Sequence, residues 1–226
     1  MLILAADTTT PTGSVALLRD GALLGQSEMA PPAAHSARLL RTVDGLLAHH
    51  GVSIRDIEAF AVAAGPGSFT GIRIGLGAVK ALAFASGKPV APVSSLEALA
   101  AKAAGSGTGL FAPTIDAKKG EVYAALFRAR EGEFVEVVAQ GAYDPATFLK
   151  GLPGGETIVF IGSGVEVYGA AVRAAFGKTA VFSDVPPFIA AEVGRLGYRL
   201  LARGEGVASD RVEPLYFRLS QAEEKR

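Results

Sequence analysis

The sequence predicts an α/β protein built twice over, with each half a βββαβα unit that forms one of two lobes. Three observations carry this. An apolar strand running into an aspartate occurs twice, at residues 2–6 before Asp7 and at residues 110–115 before Asp116. A strand, a Gly-x-Gly turn and a helical pattern also recur, through Gly65-Pro66-Gly67 and Gly162-Ser163-Gly164. Between the two series lies Gly105-Ser106-Gly107-Thr108-Gly109, a composition suited to a flexible connection. The repeated order of elements is the sign of an internal duplication.

Taken in order, residues 2–6 are apolar throughout, the pattern of a strand covered on both faces. Residues 14–18 and 23–27 continue as an antiparallel meander, with Thr10-Pro11-Thr12-Gly13 and Asp20-Gly21 as its turns. Leu39, Val43, Leu46 and Leu47 then recur at helical spacing, with His35 or Ser36 as the cap and Gly51 as the stop. A strand at 59–64 leads to a helix over 69–86, bounded by Ser68 as N-cap and Gly87 as terminator. Residues 90–93 read as a strand, and Ser94-Ser95-Leu96-Glu97 is a capping box opening a third helix toward Ala104. After the glycine run the series restarts with a strand, a hairpin over 120–127 and 134–139, the strand 158–161 and a helix. A last helix, about 190–203, stands outside the repeat and is expected to pack back on the first half. The lobes are therefore placed at 1–105, joined by the helix near 190–204, and at 106–189, with a tail at 205–226.

Composition narrows the function. Half of the 226 residues are hydrophobic and the mean hydropathy is +0.34, which allows an extensive core and excludes global disorder. Lys+Arg and Asp+Glu both total 22, so no basic excess is present to grip nucleic acid directly. Cysteine is absent, which removes disulfides, zinc ribbons and thiol nucleophiles. The N-terminus lacks a basic leader, and the weakly charged stretch 74–86 still carries Lys80 and is too short for a bilayer. A soluble, cytoplasmic protein is expected.

Two βββαβα halves are also the plan of the actin/hexokinase/acetate-kinase superfamily, the actin-like ATPase (ribonuclease H-like) fold. There, turns after a strand-end aspartate and a second glycine-rich turn cradle phosphate. The candidates here are Asp7, Thr8 and Thr9, then Gly65, Gly67 and Ser68, and in the second half Asp116 and Gly162-Ser163-Gly164. The competing reading is structural, with the glycines permitting tight turns and Asp7 capping its own loop. No catalytic constellation is recognisable. The Gly-x-Gly-x-x-x-Gly spacing from Gly65 to Gly71 misses the dinucleotide fingerprint, and neither a Walker A nor a Gly-x-Ser-x-Gly pattern occurs. The three histidines, His35, His49 and His50, lack ligand spacing, so no metal site and no cofactor are expected. The helix over 69–86 is apolar nearly all round, broken by Arg73 and Lys80, and so must be covered twice. Leu39, Leu40, Val43 and Leu47 with Ile72, Leu76 and Val79 could form a helix-to-helix partner face. Gly71, Gly75 and Ala78 would then be a seam admitting a partner helix, the alternative being burial under a neighbouring helix of the same domain.

The stretch Ala63-Ala64-Gly65-Pro66-Gly67-Ser68-Phe69-Thr70-Gly71-Ile72-Arg73-Ile74-Gly75 strongly resembles the signature of the TsaB/YeaZ family. Asp7-Thr8-Thr9, His35-Ser36, Pro92-Val93-Ser94-Ser95-Leu96, residues 116–123 and Pro214-Leu215-Tyr216-Phe217-Arg218 fit it too, with Lys118 and Thr9 as small departures. The resemblance implies a protein that dimerises alone and binds TsaD through its N-terminal helices. TsaD transfers threonylcarbamoyl to adenosine 37 of tRNA, and the ATPase TsaE completes the complex. The transferase holds metal with His-x-x-x-His, a pattern this sequence lacks, so the resemblance implies a non-catalytic scaffold that reaches tRNA only through its partner. The alternative is a small-molecule kinase or ATPase using Asp7 and Asp116 with magnesium; peptidase activity has no supporting residues.

Overall fold

A computed structural model describes residues 1–10, 12–29, 35–186 and 188–218. The chain divides into two units, Met1–Ser95 with Phe188–Leu215, and Leu96–Pro187 with Tyr216–Arg226. The division falls after the first residue of the third helix, whereas the sequence puts it at 105.

The first unit carries β1 (Leu2–Asp7), β2 (Ser14–Arg19), β3 (Ala22–Glu28), α1 (His35–His49), β4 (Ala59–Gly65), α2 (Phe69–Ser86) and β5 (Val90–Ser94). Its five strands run in the order β3-β2-β1-β4-β5, antiparallel through the meander and parallel from β1 to β5. Every residue of β1 and β4 is buried, because the sheet is covered on both sides. Alternation along the strands assigns the faces. Leu2, Leu4 and Ala6 with Phe60, Val62 and Ala64 join the core under α1 and α2. Ala61 turns the other way, onto Gly197 of the last helix, α6 (Ala190–Ala202). A Cβ on Gly197 would sit 2.5 Å from that of Ala61, so glycine lets α6 lie close on the sheet.

The second unit begins one residue into α3 (Ser95–Ala104) and continues with β6 (Gly109–Lys118), β7 (Glu121–Arg130), β8 (Glu133–Tyr143), α4 (Pro145–Lys150), β9 (Ile158–Ile161), α5 (Ser163–Phe176) and β10 (Ala180–Phe182). Its strand order, β10-β9-β6-β7-β8, repeats that of the first sheet. Leu110, Ala112, Val122, Ala124 and Leu126 face α4 and α5, while Phe111, Ala125, Phe127 and Ala129 face Leu96 and Ala100 of α3. The glycine run is therefore the α3-to-β6 turn, and α3 is a back helix for the second sheet as α6 is for the first. Element order makes each half βββαβαβα, so α6 is the counterpart of α3 and completes the repeat.

α1 already includes His35 and Ser36, so neither is its cap, and the residues ahead of it lie outside those described, as does Pro11. α2 has the predicted bounds; Ser68 Oγ accepts from the Gly71 N–H at 3.2 Å, and Gly87 closes it at φ 66°. Among the described residues α2 is the helix long and apolar enough to cross a membrane by length and composition. Its apolarity is that of a packed helix, since Ile72, Leu76, Val79 and Ala83 are core residues. Lys80 donates to the Val212 carbonyl at 3.0 Å, holding the segment after α6, which also pairs Val207 with Val90 of β5.

Candidate functional site

β1 ends at Asp7, whose side chain is wholly buried (0 % exposed). Its Oδ1 accepts from the Thr9 N–H at 2.7 Å and from Thr9 Oγ1 at 2.6 Å, and its Oδ2 from Thr10 Oγ1 at 2.9 Å. Ser95 Oγ extends the network by donating to Thr9 Oγ1 at 3.1 Å. Burial pushes the Asp7 carboxyl up from its ordinary value, and the bonds from Thr9 and Thr10 offset only part of that. All three donors are uncharged, so the carboxyl is solvated by the turn it organises.

The α2 start fits against this turn. Ser68 N–H donates to the Thr9 carbonyl at 3.0 Å, and Thr8 Oγ1 donates to the Gly71 carbonyl at 2.6 Å. A Cβ on Gly71 would run into the Thr8 carbonyl oxygen, one on Gly75 into Thr8 Oγ1, and one on Gly67 would lie 2.7 Å from the Thr9 oxygen. Behind, Leu215 N–H donates to the Ala64 carbonyl at 2.8 Å, and the Leu215 oxygen lies 2.7 Å from where a Gly65 Cβ would be. The structure thus gathers Asp7, Thr8, Thr9, Gly65, Gly67 and Ser68, but the chain's own Thr8, Thr9 and Leu215 occupy the close approaches that the glycines permit. The seam of Gly71 and Gly75 is likewise filled by Thr8, which corrects the expectation that it admits a partner helix.

Asp116 is in the other unit. Its Oδ1 accepts from the Lys118 N–H at 2.9 Å and its Oδ2 from Lys118 Nζ at 2.6 Å, while its own N–H donates to Ser163 Oγ at 3.2 Å. Burial raises its carboxyl, but the ammonium and amide of Lys118 outweigh that and hold it below the ordinary value. The hydrogen bond to Asp116, and then its charge, raise the Lys118 ammonium in turn. Gly164 turns tightly on Thr114, with a Cβ placed 2.8 Å from Thr114 Oγ1.

The expected partner face is mostly interior. Leu39, Val43, Leu47, Ile72, Leu76 and Val79 are buried in the core that binds α1 and α2 to the sheet. Leu40 is the exception at 47 % exposure. Spacing marked these residues correctly as one apolar stripe, but the sheet takes that stripe. The outward side of α2 instead shows Arg73, Gly77, Ala81 and Phe84, the last 81 % exposed. Phe84 was legible as an aromatic eleven residues after Arg73, hence on its polar face by about 20°. Arg73 lies over the Phe69 ring at 4.0 Å. Among the described residues no cluster of three potential metal ligands occurs. His49 and His50 stack edge to face at 5.1 Å, and the His50 ring covers Gly25 of β3.

Two sheets of like order, each backed by helices on both faces, define the class. The structure aligns with a ROK hexokinase from Thermus thermophilus at a TM-score of 0.54, over 90 % of this chain and all of that one, with 12 % identity. That likeness establishes the actin-like fold. Sequence goes further. The family model of TsaD, tRNA N6-adenosine threonylcarbamoyltransferase, matches residues 30–212. A tRNA threonylcarbamoyladenosine biosynthesis protein TsaB from Bacillus subtilis is 31 % identical over 100 % of this chain and 97 % of its own. The structure of YeaZ from Pseudomonas aeruginosa aligns at a TM-score of 0.82, with 32 % identity over 95 % of this chain and 99 % of that one. The chain belongs to the TsaB family.

Proposed function

We propose that this chain is a non-catalytic subunit of the machinery making threonylcarbamoyladenosine in tRNA, a scaffold that docks and activates a TsaD transferase. Its kinship with TsaB along the whole chain supports the process. The observation that carries the non-catalytic part is the Asp7 turn. A magnesium nucleotide needs an accessible carboxylate and open amides at a helix start; here the carboxylate is buried and Thr8 and Thr9 pack into the helix start.

The docking surface is the outer side of α1 and α2, with Leu40 and Phe84 as its exposed apolar anchors. Small exposed residues on the Phe84 side of α2, Gly77 and Ala81, allow another helix to approach closely. Alone, two copies pair through this face. In the working complex the transferase takes the same face, TsaE supplies ATP hydrolysis, and tRNA is met only through the transferase. The setting is the cytoplasm.

Size-exclusion chromatography with light scattering tests this. The wild type runs as a dimer and exchanges into a one-to-one complex on mixing with TsaD. Leu40→Glu and Phe84→Glu abolish both associations without changing the circular dichroism spectrum. A wild type that ignores TsaD, or variants that still bind it, would overturn the reading. Magnesium-dependent ATP turnover lost in Asp7→Ala would instead favour a kinase or ATPase.

A further inference from the structure

The glycine seam of α2 and its outward ridge lie on opposite sides of one helix. At 3.6 residues per turn, Arg73 and Gly77 stand about 200° round from Gly71 and Gly75, and Phe84 falls within about 40° of that direction. Whatever grips the seam therefore fixes where the ridge points.

The grip comes from a single residue. Thr8 is 1 % exposed and sits between the β1 end and the first two turns of α2. Its Oγ1 donates to the Gly71 carbonyl at 2.6 Å, and its carbonyl and hydroxyl oxygens occupy the spaces where Cβ atoms of Gly71 and Gly75 would stand. The next residue, Thr9, accepts the Ser68 N–H and is itself bonded to Asp7 and Ser95. Rotating α2 by one residue, about 100°, would bring Ile72 and Leu76 or Ile74 against Thr8 in place of glycine, and the pocket has no room for them. The latch thus admits one rotational setting of the helix.

We propose that Thr8, seated in the Gly71–Gly75 seam, is the positioning residue that sets the rotation of α2 and thereby aligns its outer ridge for the partner. This rests on the reading that the ridge docks a TsaD transferase. Thr8 need not touch the partner; it acts through the helix it holds.

The test compares Thr8→Val, which keeps the shape but removes the hydroxyl, with Thr8→Ser, which keeps the hydroxyl. Affinity for TsaD is measured by calorimetry well below the melting temperature of each variant, with amide exchange of residues 69–76 read in parallel. Loss of a buried hydrogen bond that orients the ridge is expected to weaken binding about tenfold in Thr8→Val. Exchange in the first two turns rises with it, and Thr8→Ser restores both. Equal affinity of all three proteins, with only the melting temperature of Thr8→Val reduced, would show a purely structural role and overturn the proposal. A wild type that fails to bind TsaD overturns the docking reading itself, an outcome distinct from equal binding by all three.

Discussion

Asp7 ends the first strand of its unit and Asp116 lies two residues before the end of the corresponding strand, each beside a glycine-bounded helix start, yet their surroundings oppose one another. Asp7 is enclosed and, among the described residues, its carboxylate is bonded by a main-chain amide and two hydroxyls, so burial raises its carboxyl. Asp116 is largely covered, its side chain 12 % exposed, but the lysine that holds it is 80 % exposed, and its carboxyl is lowered. The repeat has an aspartate near the end of the first strand in both halves, while its neighbours give it different jobs. In the first unit the aspartate organises a turn on which a helix is seated. In the second it pairs with an exposed lysine of the turn, which bends through positive φ at Lys118, Lys119 and Gly120. A shared acidic residue in a repeat is therefore weak evidence of shared chemistry; its donors decide.

The largest expected difference is in stability. Asp7→Ala leaves the Thr9 amide and two hydroxyls without their acceptor in a buried site, which should cost about 3 kcal/mol. For a chain of this size that is a fall of roughly 6–12 °C in melting temperature, checked by calorimetry. Asp116→Ala breaks a screened pair and should cost under about 1 kcal/mol. Comparable losses from both would break the contrast.

Acidity separates the two with opposite signs. The folded carboxyl of Asp7 lies above the value of 3.8 for a free aspartate, so its contribution to stability is complete below 3.8 and is lost as pH rises through the raised value. The folded carboxyl of Asp116 lies below 3.8, so its contribution is present above 3.8 and is lost as pH falls through the lowered value. Relative to wild type, Asp7→Asn should therefore lose ground on acidification from neutral pH, and Asp116→Asn should gain it. Denaturant titrations at neutral and acid pH measure both trends, and parallel behaviour of the two variants contradicts the assignment.

The fold was legible where pattern and packing coincide. Uniformly apolar β1, the Ser68 and Gly87 boundaries of α2, and the twice-used strand-Asp opening follow from local chemistry. β10 was missed because three residues, Ala180–Phe182, hold too little periodicity to stand out. The glycine run reads as a lobe boundary because flexibility is local, whereas the allegiance of α3 is set by Phe111 and Phe127, which Leu96 and Ala100 meet only in three dimensions. The site residues met the same limit. Spacing found Leu39, Val43, Ile72, Leu76 and Val79 as a stripe but could not tell a sheet from a partner as its cover. Gly71 and Gly75 announced a close approach without saying that Thr8, some 63 residues earlier than Gly71, would make it.

The smallest expected effect tests whether Lys118 is what keeps the second turn unlike the first. Lys118→Met removes the ammonium while retaining the backbone amide that Asp116 accepts from. Of the influences on Asp116, burial acts upward, and the Lys118 side chain, amide and charge act downward. With the ammonium gone, burial is opposed by the amide alone, so the Asp116 carboxyl should titrate at higher pH, moving toward the behaviour of Asp7. Carboxyl carbon shifts followed by NMR against pH report this directly, and Asp7 supplies the internal reference because its donors are untouched by the change. An Asp116 titration that does not move would mean that the turn's amides, rather than the lysine, hold the carboxylate, making the second turn an anion-stabilising loop in its own right.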